Sequence, residues 1–513
     1  VVRAYFYGIF NNYLQREPVA IYGAGESGAQ LAITLLNGAE FIPVVFIDDN
    51  QLLRGNTIHG IRVHNSANLS RLVDEYGIKR ILLAIPSATL EQRGRILDEL
   101  SRLPIQISTV PDISQLITGQ ADVAQIEAID ISDLLGRDMV PPDTNLLRHS
   151  IEQKSVLVTG AGGTIGSELC RKILQAKPKR LILFDNSEFA LYALEQHLLE
   201  NELQVELVCL LGSVLDQAYV ARIIETFSVN TVYHAAAYKH VPMVERNIVE
   251  GIRNNVLGTW YVAQAALQNR VEKVVLISTD KAVRATSVMG VSKRLAELVI
   301  QAFASLESQT QYCMVRFGNV LGSSGSILPL FTRQIEKGGP VTVTHKEADR
   351  FFMTTSEAAE LVIQAGAMAA GGDLFLLDMG EPVRIYDFAE KMIHLHGKRV
   401  GKPKDLESQQ DFIDIVFTGL RPGEKLREEL IIGQRVTGTE HPKIMKAKED
   451  CLSFKAVEAI CLSLEKACES GDYPALKRLL KQAVPGYVLD NETVDPVLKI
   501  AEIKSAKVTV IKT

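Results

Sequence analysis

The stretch SVLVTGAGGTIGSELC, residues 155–170, decides how this chain is built. Its first five residues read as a buried strand, its glycines as a tight turn, and its end as the start of a helix. In TGAGGTIG, Gly160, Gly163 and Gly166 leave out the side chains that would keep a dinucleotide pyrophosphate from backbone N–H groups and the helix N-terminus. Asp185 closes the next apolar run, LILFD (181–185), 19 residues beyond Gly166. A carboxylate there accepts from the adenosine ribose 2′-hydroxyl and repels a 2′-phosphate, so the spacing favours NAD over NADP.

Working outward, VELVCL (205–210), TVYHAAA (231–237), VVLIST (274–279) and YCMVRFG (312–318) alternate with helical stretches. The expected fold class is α/β, with a doubly wound catalytic domain over 153–318. Upstream, PVAIYGAGESG (18–28), a helix over 29–36 and FIPVVFIDD (41–49) form a second βαβ unit, and ILLAIPSA (81–88) and IQISTVP (105–111) extend it. This predicts an N-terminal Rossmann-like domain over 15–130 and a linker over 131–152 containing Pro141-Pro142. Its fingerprint, Gly23, Gly25 and Gly28 with Asp48 20 residues further on, matches by spacing. No acid, base or nucleophile accompanies it, so binding or regulation, or a bare structural turn, are its expected roles.

Beyond Gly318 the texture changes to loops and short elements, read as a substrate lobe over 319–450 interleaved with the catalytic domain. A helical extension covers 451–513. Five hundred and thirteen residues exceed one core, and 47% hydrophobic with 23% charged residues describes a well-buried globular protein. The net charge of −6 with no basic stripe excludes nucleic acid as an expected partner. Six cysteines (170, 209, 313, 451, 461, 468) lack CxxC spacing and read as reduced cytoplasmic thiols. No metal site is expected, since His394, His396 and His441 fit no metal spacing. The chain carries no eighteen-residue apolar run or signal peptide, yet it begins Val1-Val2-Arg3 followed by aromatic residues, which reads as a piece of a longer protein, with a processed start as the alternative.

The strand VVLIST runs into Thr279-Asp280-Lys281, three polar side chains at the carboxyl edge of the sheet, where ligands of such folds bind. Met289 and Lys293, four apart, share one helix face, with Lys293 in reach of a nicotinamide ribose. Lys239 and His240 follow the HAAA strand near the expected cleft, with a loop-structural role as an equal alternative.

TGAGGTIGSEL (159–169), HAAAYKHVPMVE (234–245), NNVLGT (254–259), STDKAV (278–283), MGVSKRLAE (289–297), RFGNVLGSSGS (316–326) and TGLRPGEKLREEL (418–430) together resemble an extended short-chain dehydrogenase/reductase. More narrowly they resemble the polysaccharide-biosynthesis dehydratases acting on UDP-N-acetylglucosamine. The resemblance implies an NAD-dependent 4,6-dehydratase for bacterial surface glycans, a lyase, in which hydride leaves C4, water is eliminated across C5 and C6, and hydride returns to C6. It implies Thr279 at the 4-hydroxyl, Asp280 as acid for the 6-hydroxyl, Lys281 as base at C5, and Lys293 on the nicotinamide ribose. Met289 stands where the family's tyrosine is expected, as in its larger membrane-attached members, leaving Asp280 or a water to take the first proton.

As a base Lys281 has to be neutral, its pKa depressed by burial or by a neighbouring cation, for which Lys293 is the candidate. The expected cofactor contacts are Gly160, Gly163, Thr164, Ile165, Gly166, Asp185, Ser187, Ala235, Ala236 and Lys293; those for the UDP-sugar are Asn319, Ser326, Arg421 and Glu424. The resemblance further implies a homo-oligomer, and a cytoplasmic chain whose full-length form is attached to the inner membrane through an N-terminal segment. The rival on the same fold is a UDP-sugar epimerase, and from another class a non-catalytic NAD sensor.

Overall fold

The computed structural model describes residues 16–109, 127–128, 133–134, 140, 143–200, 205–323, 325–402, 411–431, 436–487 and 495. The N-terminal start, Pro141-Pro142 and most of the chain after Tyr487 lie outside them. The chain divides into two units. One takes Val1–Met139, Gly325–Lys346 and Arg384–Thr418; the other takes Val140–Ser324, Glu347–Val383 and Gly419–Thr513. The stretch 319–450 is thus shared between them.

In the first unit the strands β1 (Glu17–Tyr22), β2 (Phe41–Ile47), β3 (Thr57–Ile58), β4 (Ile61–His64), β5 (Arg80–Leu83), β6 (Gln106–Thr109) and β7 (Glu127–Ala128) form one sheet in the order β3-β4-β2-β1-β5-β6-β7. Its central pairs are parallel and only the outer two are antiparallel. The helix Leu90–Leu100 starts on a reciprocal cap between Thr89 and Gln92, which satisfies two otherwise unpaired N–H groups. The helix Ile385–Leu395 belongs to this unit too: His394 Nδ1 lies 2.7 Å from the Ser101 carbonyl, and Lys391 pairs with Asp98. His394 therefore ties together segments almost three hundred residues apart.

The second unit is built on nine strands: β8 (Ser155–Thr159), β9 (Arg180–Asp185), β10 (Glu206–Leu211), β11 (Thr231–His234), β12 (Lys273–Ile277), β13 (Gln311–Arg316), β14 (Asp373–Leu377), β15 (Val436–Gly438) and β16 (Ile444–Ala447). Their order is β10-β9-β8-β11-β12-β13-β14-β16-β15, parallel as far as β14 and antiparallel beyond it. The order reverses between β8 and β11, the point at which open sheets of this kind leave a crevice for ligands. DLFLL, read from sequence as part of the substrate lobe, enters this sheet as β14. All five of its residues are buried, as a strand covered on both faces requires. The expected linker holds a helix, Thr144–Ile151, capped by Asp143, whose own N–H donates to Gln364 at 2.8 Å.

Among the described residues no helix is long and apolar enough to cross a membrane.

Candidate active site

At the reversal point the glycines are required by contact as well as by conformation. Gly160 has φ +68°, and a Cβ there would lie 2.6 Å from the Ala236 nitrogen after β11. A Cβ on Gly166, in the first turn of the helix Thr164–Gln175, would meet the Gly160 carbonyl at 2.0 Å. Gly163 caps that helix with no side chain over its free N–H groups. Asp185 ends β9 and accepts from the Gly162 N–H at 2.9 Å and from the Ser187 N–H at 2.8 Å. The turn, the open helix end, Ala235 and Ala236 beside it, and the carboxylate fit a dinucleotide without a 2′-phosphate. Thr164 and Ile165 open the helix; Ser187 lies exposed past Asp185 and caps the helix Glu188–Leu199. In the first unit Gly28 meets Gly23, and Gly23 meets Ala84, just as closely. Asp48 there accepts from Ala24 N–H at 2.7 Å.

β12 delivers the candidate chemistry. Ser278 Oγ donates to Glu297 at 2.6 Å, fixing the strand end to the helix Val288–Ala304. The chain then turns through Asp280–Ala282. Thr279 Oγ1 donates to Asp280 Oδ1 at 2.8 Å, and Lys281 Nζ donates to the same oxygen at 3.0 Å and to Asn319 Oδ1 at 2.9 Å. Asp280 is fully buried, and its Oδ2 has no hydrogen-bond partner. Four expected residues, Thr279, Asp280, Lys281 and Asn319, thus form one hydrogen-bonded group.

The expected depression of the Lys281 pKa is not what the structure gives. Burial works to lower it, but the Asp280 charge and then that of Glu428, 3.8 Å away, outweigh burial and hold the amine above its usual value. Nor is Lys293 the cation beside it. Lys293 Nζ donates to the Ile277 carbonyl at 2.6 Å, and burial pushes its pKa down to about 8. Met289 is buried in the apolar core and offers no proton chemistry.

Around this group lie residues that single positions in the sequence did not single out. The helix from Ile248 passes through a π-helical segment, Arg253–Leu257, a feature common at functional sites. There Asn255 binds both the N–H and the carbonyl of Tyr238 and donates to Ser292 Oγ at 2.9 Å. His234 is buried between Thr159 and Thr259, with its pKa pushed down to about 3 by burial and by Lys293. Thr259 already donates to the Asn255 carbonyl at 2.7 Å. His234 is therefore assigned as a neutral ring donating from Nε2 and accepting at Nδ1.

Arg350 donates to Glu424 at 3.0 Å and to the Lys425 carbonyl at 2.7 Å, pinning the LRPGEK loop. Glu424 accordingly braces that loop, and Arg421 within it is exposed. Lys239 and His240 are exposed after β11. Ser326 belongs to the other unit, where its buried Oγ has no hydrogen-bond partner. The signals for Asn255, Glu297 and Glu428 were the blocks NNVLGT, MGVSKRLAE and LREEL, which mark the neighbourhoods but not the residue.

The family model "Polysaccharide biosynthesis protein" matches residues 156–449. The chain belongs to that family. Capsular polysaccharide biosynthesis protein CapD of Staphylococcus aureus is 40% identical over 460 residues, covering 88% of this chain and 74% of that protein. The probable polysaccharide biosynthesis protein EpsC of Bacillus subtilis is 40% identical over 467 residues, 90% and 73% of the two chains. Among solved structures, Pen from Bacillus thuringiensis superposes with a TM-score of 0.51 at 32% identity, covering 61% of this chain and 99% of that one.

Proposed function

We propose that the chain is an NAD-dependent nucleotide-sugar 4,6-dehydratase acting on UDP-N-acetylglucosamine in the synthesis of a bacterial surface glycan. The observation that carries this reading is the ion pair of buried Asp280 with half-buried Lys281 at the carboxyl end of β12, in the same unit as the glycine turn. Elimination of water across C5 and C6 needs a base and an acid side by side. One proton moved from the Lys281 ammonium to Asp280 yields a free amine and a carboxylic acid without exchange with solvent. The two are 3.0 Å apart, hydrogen-bond distance for that transfer.

Bound NAD would supply the acceptor and later the donor of the hydride at the sugar. Thr279 orients the 4-hydroxyl, and its proton leaves to a water, because Met289 cannot take it and Asp280 already holds the proton from Lys281. Once C4 is a ketone the C5 proton is acidic, so Lys281 takes it while Asp280 protonates the departing 6-hydroxyl. Asn319 holds the Lys281 amine in place at 2.9 Å. Arg421, with its planar fork of donors, is assigned to the UDP pyrophosphate, on the loop that Glu424 braces.

The test is incubation of the NAD-saturated protein with UDP-N-acetylglucosamine, followed by mass spectrometry. Loss of one water supports the dehydratase. An isomer of unchanged mass identifies an epimerase, and recovered substrate with NAD bound identifies a sensor.

A further inference from the structure

Glu428 is the buried acidic group that the proposed reaction leaves without a task. It comes from the LREEL segment and is 8% exposed. Its Oε1 lies 3.8 Å from Lys281 Nζ and 4.0 Å from Arg350 Nε; its Oε2 lies 3.6 Å from Lys425 Nζ and makes no hydrogen bond. Each of those cations is engaged elsewhere. Lys425 donates to the Val283 carbonyl at 2.6 Å, Arg350 binds Glu424 and the carbonyls of Asp349, Leu426 and Lys425, and Lys281 binds Asp280 and Asn319. A carboxylate ringed by three cations yet hydrogen-bonded to none acts through its charge, and the cation that faces the proposed chemistry is Lys281.

We propose that Glu428 is a positioning residue of this site, whose carboxylate holds the Lys281 ammonium against Asp280 and so governs when that amine is free to take a proton. The groups facing Lys281 are Asp280 beside it, Asn319 on the next loop, and Glu428 with Arg350 and Lys425 around it. Burial raises the Glu428 pKa, with Lys281 opposing and Asp280 reinforcing that shift. The three cations around it, Lys281, Lys425 and Arg350, favour its charged form. Removing an anion from beside an ammonium lowers the amine's pKa. The consequence for turnover rests on the reading of Lys281 as the base; the titration itself does not.

The experiment is to label the full, NAD-saturated protein with acetic anhydride, which acylates an amine only in its unprotonated form, over a series of pH values. Peptide mass spectrometry then reads Lys281 in the wild type and in Glu428→Gln. The Lys281 midpoint is expected to fall by at least half a pH unit while the exposed Lys455 is unmoved. An unmoved Lys281 midpoint in a folded variant with unchanged NAD affinity overturns the proposal. Should the glutamine variant fold poorly, Glu428→Ala removes the same charge, and an unmoved Lys281 midpoint there overturns the proposal equally. If the midpoint moves while the rising limb of kcat/KM against pH stays fixed, Glu428 tunes Lys281 but Lys281 is not the base.

Discussion

The backbone carbonyl of Lys281 presses on Gly290 so closely that a Cβ there would sit 2.4 Å from its oxygen. The reactive turn and the helix Val288–Ala304 are in backbone contact, and the residue after Met289 has to be glycine for the turn to keep its place. Gly290→Ala is expected to lower kcat at least tenfold with little change in NAD affinity, since the glycine turn after β8 is untouched. Steady-state kinetics beside an NAD titration measures both.

Met289 fills core volume. Met289→Leu preserves that volume, so it is expected to cost less than about 1.5 kcal/mol in urea unfolding. Turnover should stay within about threefold, because sulfur has no part in proton transfer. A hundredfold loss with the fold intact would give the thioether a chemical role.

Asp185 bears on cofactor choice. Asp185→Ser removes the carboxylate that accepts from the Gly162 N–H and would meet the ribose 2′-hydroxyl. NAD affinity is expected to fall at least tenfold and the preference over NADP to narrow, as read by fluorescence titration with each dinucleotide.

Glu297 should dominate the acid end of the stability curve. Arg316 binds both its oxygens at 2.6 Å, Arg294 lies 3.0 Å away, and Glu449 holds the other side of Arg316. Burial raises the Glu297 pKa, but the two arginines and Ser278 overcome it and bring it down from 4.5 to about 2. A pKa lowered by folding stabilises the protein above the unfolded value, and that contribution disappears as pH falls from about 4.5 to about 2. Glu297→Gln leaves Arg316 partly uncompensated, which is expected to cost on the order of 3 kcal/mol near neutral pH. The same variant should flatten the acid limb of Tm against pH.

The cofactor cradle was legible because its determinants are local: Gly160, Gly166 and Asp185 lie within 26 residues and follow a fixed strand-turn-helix geometry. The Asp280–Lys281 pair was legible for the same reason. The charge state of Lys281 was not, because beside Asp280 it depends also on Glu428, 147 residues away in sequence and one of three glutamates in EKLREE. Lys293 was misread as its neighbour because helical spacing gives a face, and the amine instead reaches back to the Ile277 carbonyl. DLFLL was assigned to a lobe because the fully buried strand it forms has no alternating pattern to separate it from other short apolar runs.

Solvent deuterium at sugar C5 tests the Asp280–Lys281 couple most directly. In heavy water, with NAD and UDP-N-acetylglucosamine, the wild type is expected to yield a dehydrated product carrying deuterium at C5, while Lys281→Ala binds NAD normally and places none there. Deuterium entering C5 at the wild-type rate in Lys281→Ala would contradict the assignment of this amine as the base.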